Sequence, residues 1–211
     1  MMLHQVEERL QNHQPRTIDA QLPEAAVLIP ITNASEPELV FTRRAPHMNT
    51  HSGEVAFPGG KRDLSDRDLI HTALRESFEE IALPPEAVRI IGQTGSVVSR
   101  FGLEVTPIVG IMEADTPLRA NMAELDRIFK VPLSYFLDKD NLTFNHWKLR
   151  NQDYMMPSFY YGEYLIWGLT AVMLVEFLNI TLDADILLNA PHFNSHFPRA
   201  KGMFQSCSMD G

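Results

Sequence analysis

The amino-acid sequence predicts a mixed α/β fold in which helices cover a central sheet. Short apolar, β-type runs occur between amphipathic helical runs without strict alternation, which favours a sandwich over a doubly wound sheet. Hydrophobic residues make up 45% of the 211, close to the globular average. A chain of this length buries about 70% of its unfolded surface, so its core needs no disulfide or metal.

The first elements follow from hydrophobic spacing. Leu3, Val6 and Leu10 recur at helical intervals and predict a helix over residues 3–14, which Pro15 ends. Strands are predicted where a short apolar run is bounded by turn residues. These runs are residues 25–31, 39–42, 55–57, 89–91, 96–98, 105–112, 142–149 and 158–161.

The clearest helix lies near the middle of the chain. A sequence resembling a capping box, which starts at Ser65, precedes it, and Pro84 follows it. A shorter helix is predicted over residues 123–129 and a long buried one over 167–178. The apolar face of the central helix consists of Ile70, Leu74, Ser77, Phe78 and Ile81.

Charge and cysteine content exclude several classes of protein. A net charge of −9 argues against a general nucleic-acid binder, which normally has a basic face. The longest apolar run, residues 164–175, is shorter than the about 20 residues of a membrane span, and the amino terminus lacks the apolar run of a signal peptide. Cys207 is the single cysteine, so no intrachain disulfide can form. We therefore expect a cytoplasmic protein that binds neither membranes nor nucleic acid.

Three glutamates occur within five residues of the central helix. On a helix that turns about 100° per residue, Glu76, Glu79 and Glu80 share an arc of about 100° that points away from the apolar face. A solvated charged face is the plain alternative. Like charges four residues apart repel, however, and a Gly59-Gly60 turn just upstream allows close approach of a ligand. Carboxylates beside such a turn suit Mg²⁺ or Mn²⁺.

The run from Gly60 to Leu83 resembles the Nudix box, G-x5-E-x7-R-E-U-x-E-E-x-G-U, where U is apolar. The R-E-x-x-E-E core, which carries the metal chemistry of that family, is intact from Arg75 to Glu80. The resemblance implies a Nudix-type α/β/α sandwich with a mixed central sheet. The run departs from the pattern by one extra residue before the Arg-Glu pair and at Asp66, Ser77 and Ala82.

A second resemblance points to a branch of that family. The run from Phe41 to Gly60 is similar to the L-L-T-x-R-S…H-x-G-x-V-x-F-P-G-G signature of the coenzyme A pyrophosphatases, and the likeness extends over residues 25–178. It departs at Asn49, where the signature usually has a basic residue. The implied organisation is an N-terminal helix and lead-in (1–24), a Nudix domain (25–182) and a partly mobile extension (183–211).

The resemblance also implies the chemistry, which is attack of water on a phosphorus of a diphosphate. Divalent cations neutralise the polyanion and lower the pKa of a bound water. Glu76 and Glu80 are the implied direct ligands, Glu79 is implied beside them, and the backbone near Gly60 is a further candidate. Arg75 lies four residues before Glu79, within reach of its carboxylate.

The proton acceptor and the substrate contacts remain open at this point. Glu76 and Glu124 are both candidates for the general base, since reach to the water decides that role; Glu124 is alternatively a surface residue of a short helix. A tail carrying His192 and His196 has no evident third ligand, and Cys207 has no base nearby in sequence. The candidate substrate contacts are Arg44, His51, Gly59 and Lys61, with Arg43 and Arg62 less favoured, and ordinary strand-edge or loop-capping roles are the alternatives for them.

Three functions are consistent with these patterns. The first is cleavage of coenzyme A or a derivative to 3′,5′-ADP and 4′-phosphopantetheine, with Mg²⁺ or Mn²⁺. The second keeps the fold and changes the substrate to ADP-ribose or a nucleoside triphosphate. The third is a regulatory module that binds a nucleotide without turnover. In each case the partner is a small molecule, and we expect a monomer or homodimer.

Overall fold

The computed structural model describes residues 2–18, 21–47, 53–149 and 152–188. A central mixed sheet carries helices on both faces, and a smaller three-stranded sheet lies next to it. This architecture confirms the predicted mixed α/β class.

The central sheet is built around two long strands that run parallel. β1 pairs with β7 over its whole length, whereas the other pairings in the sheet are antiparallel. The strand order is β3-β2-β1-β7-β5, with β4 paired to β1, β6 to β7 and β8 to β2. The strands are β1 (Glu24–Asn33), β2 (Glu38–Arg44), β3 (Val55–Ala56), β4 (Gly59–Lys61), β5 (Val88–Gln93), β6 (Val97–Val98), β7 (Glu104–Glu113) and β8 (Leu125–Pro132).

Three helices cover this sheet, and a second sheet packs against one of them. Side chains alternate along β1, so Leu28 packs in the cluster beneath α2 and Ile29 packs in the cluster beneath α1 and α3. The sheet is therefore buried on both faces. The helices are α1 (Met2–Asn12), α2 (Leu69–Ile81) and α3 (Gly168–Leu182), and the second sheet consists of β9 (Leu142–Leu149), β10 (Gln152–Tyr161) and β11 (Tyr164–Ile166).

Both ends of α2 are fixed by backbone chemistry. Asp68 caps its first turn by accepting a 2.7 Å hydrogen bond from the backbone N–H of His71. The predicted capping box placed the cap at Ser65 and was wrong by one turn. At the other end Ala82 adopts a left-handed conformation (φ 55°), and its N–H bonds to the carbonyl of Phe78.

The prediction of a short helix over residues 123–129 was wrong. Leu125–Pro132 is the strand β8, which pairs with β2 from Glu38 to Arg44. The pairing completes the hydrogen bonds of β2 on one edge, and this gain overrides a weak local helical pattern. Local pattern also missed β4 and β11, because neither three-residue strand has room to show a period.

The strand ends that concern function meet at one end of the sheet. β1 begins where the antiparallel β2 ends, and β4 pairs with the beginning of β1 from Ala25 to Val27. α2 packs on β1 and β4 at this end. None of the helices in the described ranges combines the length and the apolarity that a membrane-spanning helix needs.

Candidate active site

The three glutamates of α2 lie in different environments. Glu79 is exposed, Glu76 is half-buried, and Glu80 retains only 8% of its surface. The expectation that all three point away from the core was therefore wrong for Glu80, and Phe78, which was placed on the buried face, is 53% exposed. The helical wheel assumed a single flat layer beneath the helix, whereas β4 also covers the side on which Glu80 lies.

The Gly59-Gly60 segment brings backbone directly against two of these carboxylates. The Gly59 N–H donates to Oε2 of Glu80 at 3.2 Å. A Cβ on Gly60 would lie 2.4 Å from Cδ of Glu76, and one on Gly59 would lie 2.3 Å from the carbonyl oxygen of Ala26. At Gly59 only glycine fits, because the clash is with the backbone of β1, and a side chain at Gly60 would displace the Glu76 carboxylate.

Arg75 holds the glutamate side chains in place. Its Nε and Nη2 donate to the two carboxylate oxygens of Asp66, each at 3.0 Å, and Nη2 also donates to the carbonyl of Lys61 at 3.0 Å. Its Nη1 lies 2.9 Å from Oε1 of Glu76 and 3.3 Å from Oε1 of Glu79. All three nitrogens of the guanidinium thus have partners, and we regard Arg75 as a residue that positions the glutamates.

Asp66 is the site residue whose role the sequence did not reveal. It was noted only as a departure from the Nudix pattern, yet it is buried (4% exposed) and anchors Arg75. The Arg75 guanidinium, with further donors from Asp63 N–H, His71 and Thr72, holds the pKa of Asp66 well below its usual range. The one feature of the sequence that could have indicated this role is the acidic side chain nine positions before the Arg-Glu pair.

Negative charge is concentrated around Glu80. Burial, together with the charges of Glu76 and Glu124, raises the pKa of Glu80 to about 7 against the opposing effects of the Gly59 N–H and Arg44. Burial also raises the pKa of Glu76, against the opposing effect of Arg75. The charge of Glu124 contributes to both shifts, and this residue lies in a turn before β8 and not on a helix.

The donors fit a divalent cation in chemistry, although not as a preformed cluster. Among the described residues, no three His, Cys, Asp or Glu side chains are grouped closely enough to hold a metal as they stand. Glu76 and Glu80 are nevertheless hard oxygen donors whose charges destabilise one another. A cation between them would relieve that repulsion. Glu79 is exposed and paired with Arg75, and coordination by Glu79 or by the Gly60 backbone stays a prediction.

Adjacent arginines at the end of β2 have different surroundings. Arg43 forms a bidentate pair with Asp126 (2.7 and 3.0 Å) and lies over the ring of Tyr164. Arg44 has a buried Nε for which the described part of the chain supplies no hydrogen-bond partner, and its charge lowers the pKa of Glu80. A buried guanidinium N–H without a partner beside carboxylates is suited to an anionic substrate oxygen.

Comparison with known proteins decides the family. A model of the NUDIX domain matches residues 22–123. A Photorhabdus laumondii protein named as an uncharacterized Nudix hydrolase NudL is 39% identical over 160 residues, which are 76% of this chain and 86% of that protein. A protein of the same name from Yersinia enterocolitica is 41% identical over 174 residues, covering 79% of this chain and 85% of its own. The chain belongs to the Nudix hydrolase family.

Solved structures of Nudix proteins also align with part of this chain. A MutT/nudix family protein from Enterococcus faecalis aligns over 87% of this chain and 70% of its own, with 13% identity and a TM-score of 0.48. Nudix hydrolases act on phosphoric anhydrides, generally use divalent cations and bind small-molecule substrates. The protein is therefore an enzyme of that class.

The departures from the Nudix box have structural explanations. Ser77 replaces an apolar residue but is fully buried, and its hydroxyl donates to the carbonyl of Ala73 at 2.7 Å within the helix. Ala82 replaces the glycine at the left-handed residue that ends α2. Both substitutions therefore preserve the helix that carries the glutamates.

The remaining candidates have these positions. The Lys61 side chain is exposed, and Arg62 pairs with Glu24 at 2.6 Å. The Glu124 carbonyl accepts a 2.8 Å hydrogen bond from the N–H of Ala45, which joins its turn to the end of β2. Five residues discussed above lie outside the described residues: Asn49, His51, His192, His196 and Cys207.

Proposed function

We propose that this Nudix hydrolase cleaves coenzyme A or one of its derivatives to 3′,5′-ADP and 4′-phosphopantetheine, with Mg²⁺ or Mn²⁺. The single observation that carries the diphosphate chemistry is the buried, unpartnered Nε of Arg44 beside Glu80 and its neighbouring carboxylates. Carboxylates that can bind a divalent cation thus lie near a guanidinium that can bind phosphoryl oxygens. The choice of coenzyme A is supported by the signature-like run from Phe41 to Gly60.

Each residue of the site has a distinct task in this reaction. Glu76 and Glu80 would hold the cation, which when bound supplies charge neutralisation and acidifies water. Arg44 binds a phosphoryl oxygen and orients the diphosphate. Arg75 fixes the rotamers of Glu76 and Glu79 through its hydrogen bonds. The water oxygen attacks phosphorus, the bridging P–O bond breaks, and a carboxylate takes up the proton of the water.

The proton acceptor is either Glu76 or Glu124. The Glu76 carboxylate would hold the cation and already has the Arg75 guanidinium 2.9 Å from its Oε1, so both contacts make it less available to take a proton from the water. Glu124 has no such partner among the described contacts of its carboxylate, and it lies close enough to raise the pKa of both other glutamates. We favour Glu124, and this choice predicts that the acidic limb of the pH–rate profile is lost or shifted in Glu124→Gln.

A turnover screen tests the substrate. Coenzyme A, dephospho-coenzyme A, ADP-ribose and a nucleoside triphosphate are incubated with the protein and Mg²⁺ or Mn²⁺, and products are identified by mass. We expect coenzyme A to give 3′,5′-ADP and 4′-phosphopantetheine with the highest kcat/KM. Efficient cleavage of ADP-ribose without cleavage of coenzyme A would replace the substrate, and binding without any turnover would favour a regulatory module.

The cellular setting is part of the proposal. We propose a cytoplasmic enzyme that acts as a monomer or homodimer. The low cysteine content supports this location, because disulfides mark oxidising compartments. Fractionation of cells and light scattering of the purified protein measure the two properties directly.

A further inference from the structure

The turn between β6 and β7 is held rigidly at the catalytic end of the sheet. The Ser99 hydroxyl accepts hydrogen bonds from the N–H groups of Phe101 (3.3 Å) and Leu103 (3.1 Å). The Ser99 backbone bonds to Leu103 and Gly102 at 2.8 and 3.0 Å. Gly102 adopts a left-handed conformation (φ 74°), which closes the turn. A short loop with this many internal bonds presents its side chains in a fixed direction.

The turn presents a cation and an aromatic ring to solvent. The Arg100 side chain is 55% exposed and Phe101 is 60% exposed. The guanidinium carbon of Arg100 lies 4.8 Å from the centre of the Phe101 ring. This contact limits the rotamers of Arg100, while more than half of its side chain stays exposed.

A chain of contacts connects this turn to the candidate active site. Nη2 of Arg100 lies 4.0 Å from Oε1 of Glu54, at the limit of an ion pair. The Glu54 carbonyl accepts a 3.0 Å hydrogen bond from the backbone N–H of Arg44. The next residue, Ala45, donates a 2.8 Å hydrogen bond from its backbone N–H to the carbonyl of Glu124. Arg100 is therefore linked through Glu54 to the end of β2, and the end of β2 is hydrogen-bonded to the turn that carries Glu124.

Two other arginines of this region are already engaged in ion pairs. Arg43 is neutralised by Asp126 and Glu163, and Arg75 by the acidic residues around it. Arg44 lies against the carboxylates, where the scissile diphosphate must bind. The adjoining cavity of about 470 Å³ is lined by Glu54, Asp126 and Glu163 as well as Arg43, so it disfavours a further anion. The long, exposed pair of Arg100 with Glu54 contributes little stability.

We propose that Arg100, oriented by Phe101, binds a phosphate of the substrate that is not part of the scissile diphosphate. Arg100 would then determine the preference for substrates that carry such a phosphomonoester. The inference rests on the proposed function, in which the 3′-phosphate of coenzyme A is that group. Glu54 competes with this phosphate for Arg100. Arg100 should therefore increase the affinity for the phosphorylated substrate, and Glu54 should decrease it.

Equilibrium binding tests this directly. Calorimetry with Mg²⁺ compares 3′,5′-ADP with 5′-AMP, which lacks the 3′-phosphate. Wild type should bind 3′,5′-ADP about ten- to a hundredfold more tightly than 5′-AMP, as expected for a charge-assisted contact to phosphate. Arg100→Gln should lose most of this ratio, and Phe101→Leu should lose about two- to fivefold of it. Glu54→Gln should preserve or increase the ratio.

A matched control separates charge loss from recognition. Arg89→Gln removes one positive charge from an exposed ion pair with Glu7 on β5, away from this turn, and should leave the ratio unchanged. If the only role of Arg100 is its ion pair with Glu54, Arg100→Gln and Glu54→Gln should change the ratio of affinities for 3′,5′-ADP and 5′-AMP in the same way. That result, or an equal ratio in wild type and Arg100→Gln, overturns the inference.

Kinetics distinguish failure of the inference from failure of the proposed function. With coenzyme A, Arg100→Gln should raise KM about tenfold or more with kcat little changed, and with dephospho-coenzyme A it should change neither. If wild type cleaves coenzyme A and Arg100→Gln keeps the same preference for coenzyme A over dephospho-coenzyme A, the inference is refuted and the proposed function stands. Wild type that cleaves no coenzyme A refutes the function, and the binding ratio then decides the role of Arg100 alone.

Discussion

Two glutamates with little exposed surface, one on each face of the central sheet, have similarly raised pKa values but different charged neighbours. Burial raises the pKa of Glu80 on α2 and that of Glu176 on α3 to about 7. Each accepts a backbone N–H, from Gly59 and Gly95 respectively. Glu80 is next to like charges, whereas Glu176 lies 3.9 Å from Arg16.

The comparison shows that a raised pKa does not by itself identify a catalytic carboxylate. Glu176 is shifted by burial, a nearby arginine moderates the shift, and its Oε2 is buried without a hydrogen-bond partner in the described structure. Glu80 is shifted by burial and also by Glu76 and Glu124. A cluster of like charges has a reason to attract a cation, and an isolated acid does not.

The largest expected difference between the two sites is in turnover. Glu80→Gln keeps the shape of the side chain and removes its charge, so it should lower turnover of the best substrate by orders of magnitude while the fold is kept. Glu176→Gln, the matched change on the other face, should stay close to wild type. Steady-state assays with Mg²⁺ measure both. Near-normal activity in Glu80→Gln and Glu76→Gln would mean that the metal site has been misplaced.

The second difference concerns what supports the carboxylates. Arg75→Ala leaves Asp66 buried and charged without its guanidinium partner, and it should lower the free energy of unfolding by about 3–5 kcal/mol. Arg16→Ala, beside Glu176, should cost less, because that pair is longer and partly exposed. Urea titration gives both values. A loss in Arg75→Ala that the additional change Asp66→Asn does not reduce would contradict the anchoring role.

The third difference appears in the pH dependence of stability without metal. A carboxyl whose folded pKa exceeds its unfolded value of 4.5 stabilises the fold below pH 4.5, and that stability is lost as pH rises through about 7. Replacing either Glu80 or Glu176 by Gln should therefore raise stability above pH 7 by up to about 3 kcal/mol.

Magnesium separates the two contributions to that pH dependence. Added Mg²⁺ should stabilise wild type and Glu176→Gln by mass action and should have less effect on Glu80→Gln. Thermal unfolding at pH 5 and pH 8, with and without Mg²⁺, measures this. Equal metal-induced shifts in all three proteins would remove the distinction between Glu80 and Glu176.

The smallest expected effect lies at the ends of the same two helices. α2 ends at Ala82 (φ 55°) and α3 ends at Asp183 (φ 51°), both in the left-handed region. Ala82→Gly should raise the free energy of unfolding by about 1 kcal/mol, because glycine adopts this conformation without strain. Asp183→Gly should gain less, since Asp tolerates the conformation better and its pair with Arg9 (2.7 Å) is lost. Destabilisation by Ala82→Gly would contradict this account.

Much of the fold could be predicted because local spacing matched the tertiary environment. α1, α2 and α3 and the long strands β1 and β7 lie where hydrophobic periodicity placed them, to within a few residues. The errors occur where long-range pairing decides the outcome. Residues 125–132 form a strand because the edge of β2 needs a partner, and Gly59–Lys61 form a strand because β1 accepts them.

The candidate site divides in the same way. The composition of the R-E-x-x-E-E core and the presence of two glycines before it are properties of the sequence, and they sufficed to indicate the family and its chemistry. The sequence did not indicate that Asp66 anchors Arg75, or that Arg43 and Arg44 have different partners. These facts depend on residues that are distant in the chain or that differ only in the direction of their side chains.

The sequence by itself determined the Nudix family, the mixed α/β class and the helix that carries three glutamates, because each depends on residue type and local spacing. Only the tertiary structure decided which glutamate is buried and which arginine retains an unpartnered donor. It also brought the Arg100 turn to the end of β2, through the contact between Arg100 and Glu54. The physical reason is that burial and charge pairing depend on every element that packs around a group, and β4, β8 and the loops reach this site from separate parts of the chain.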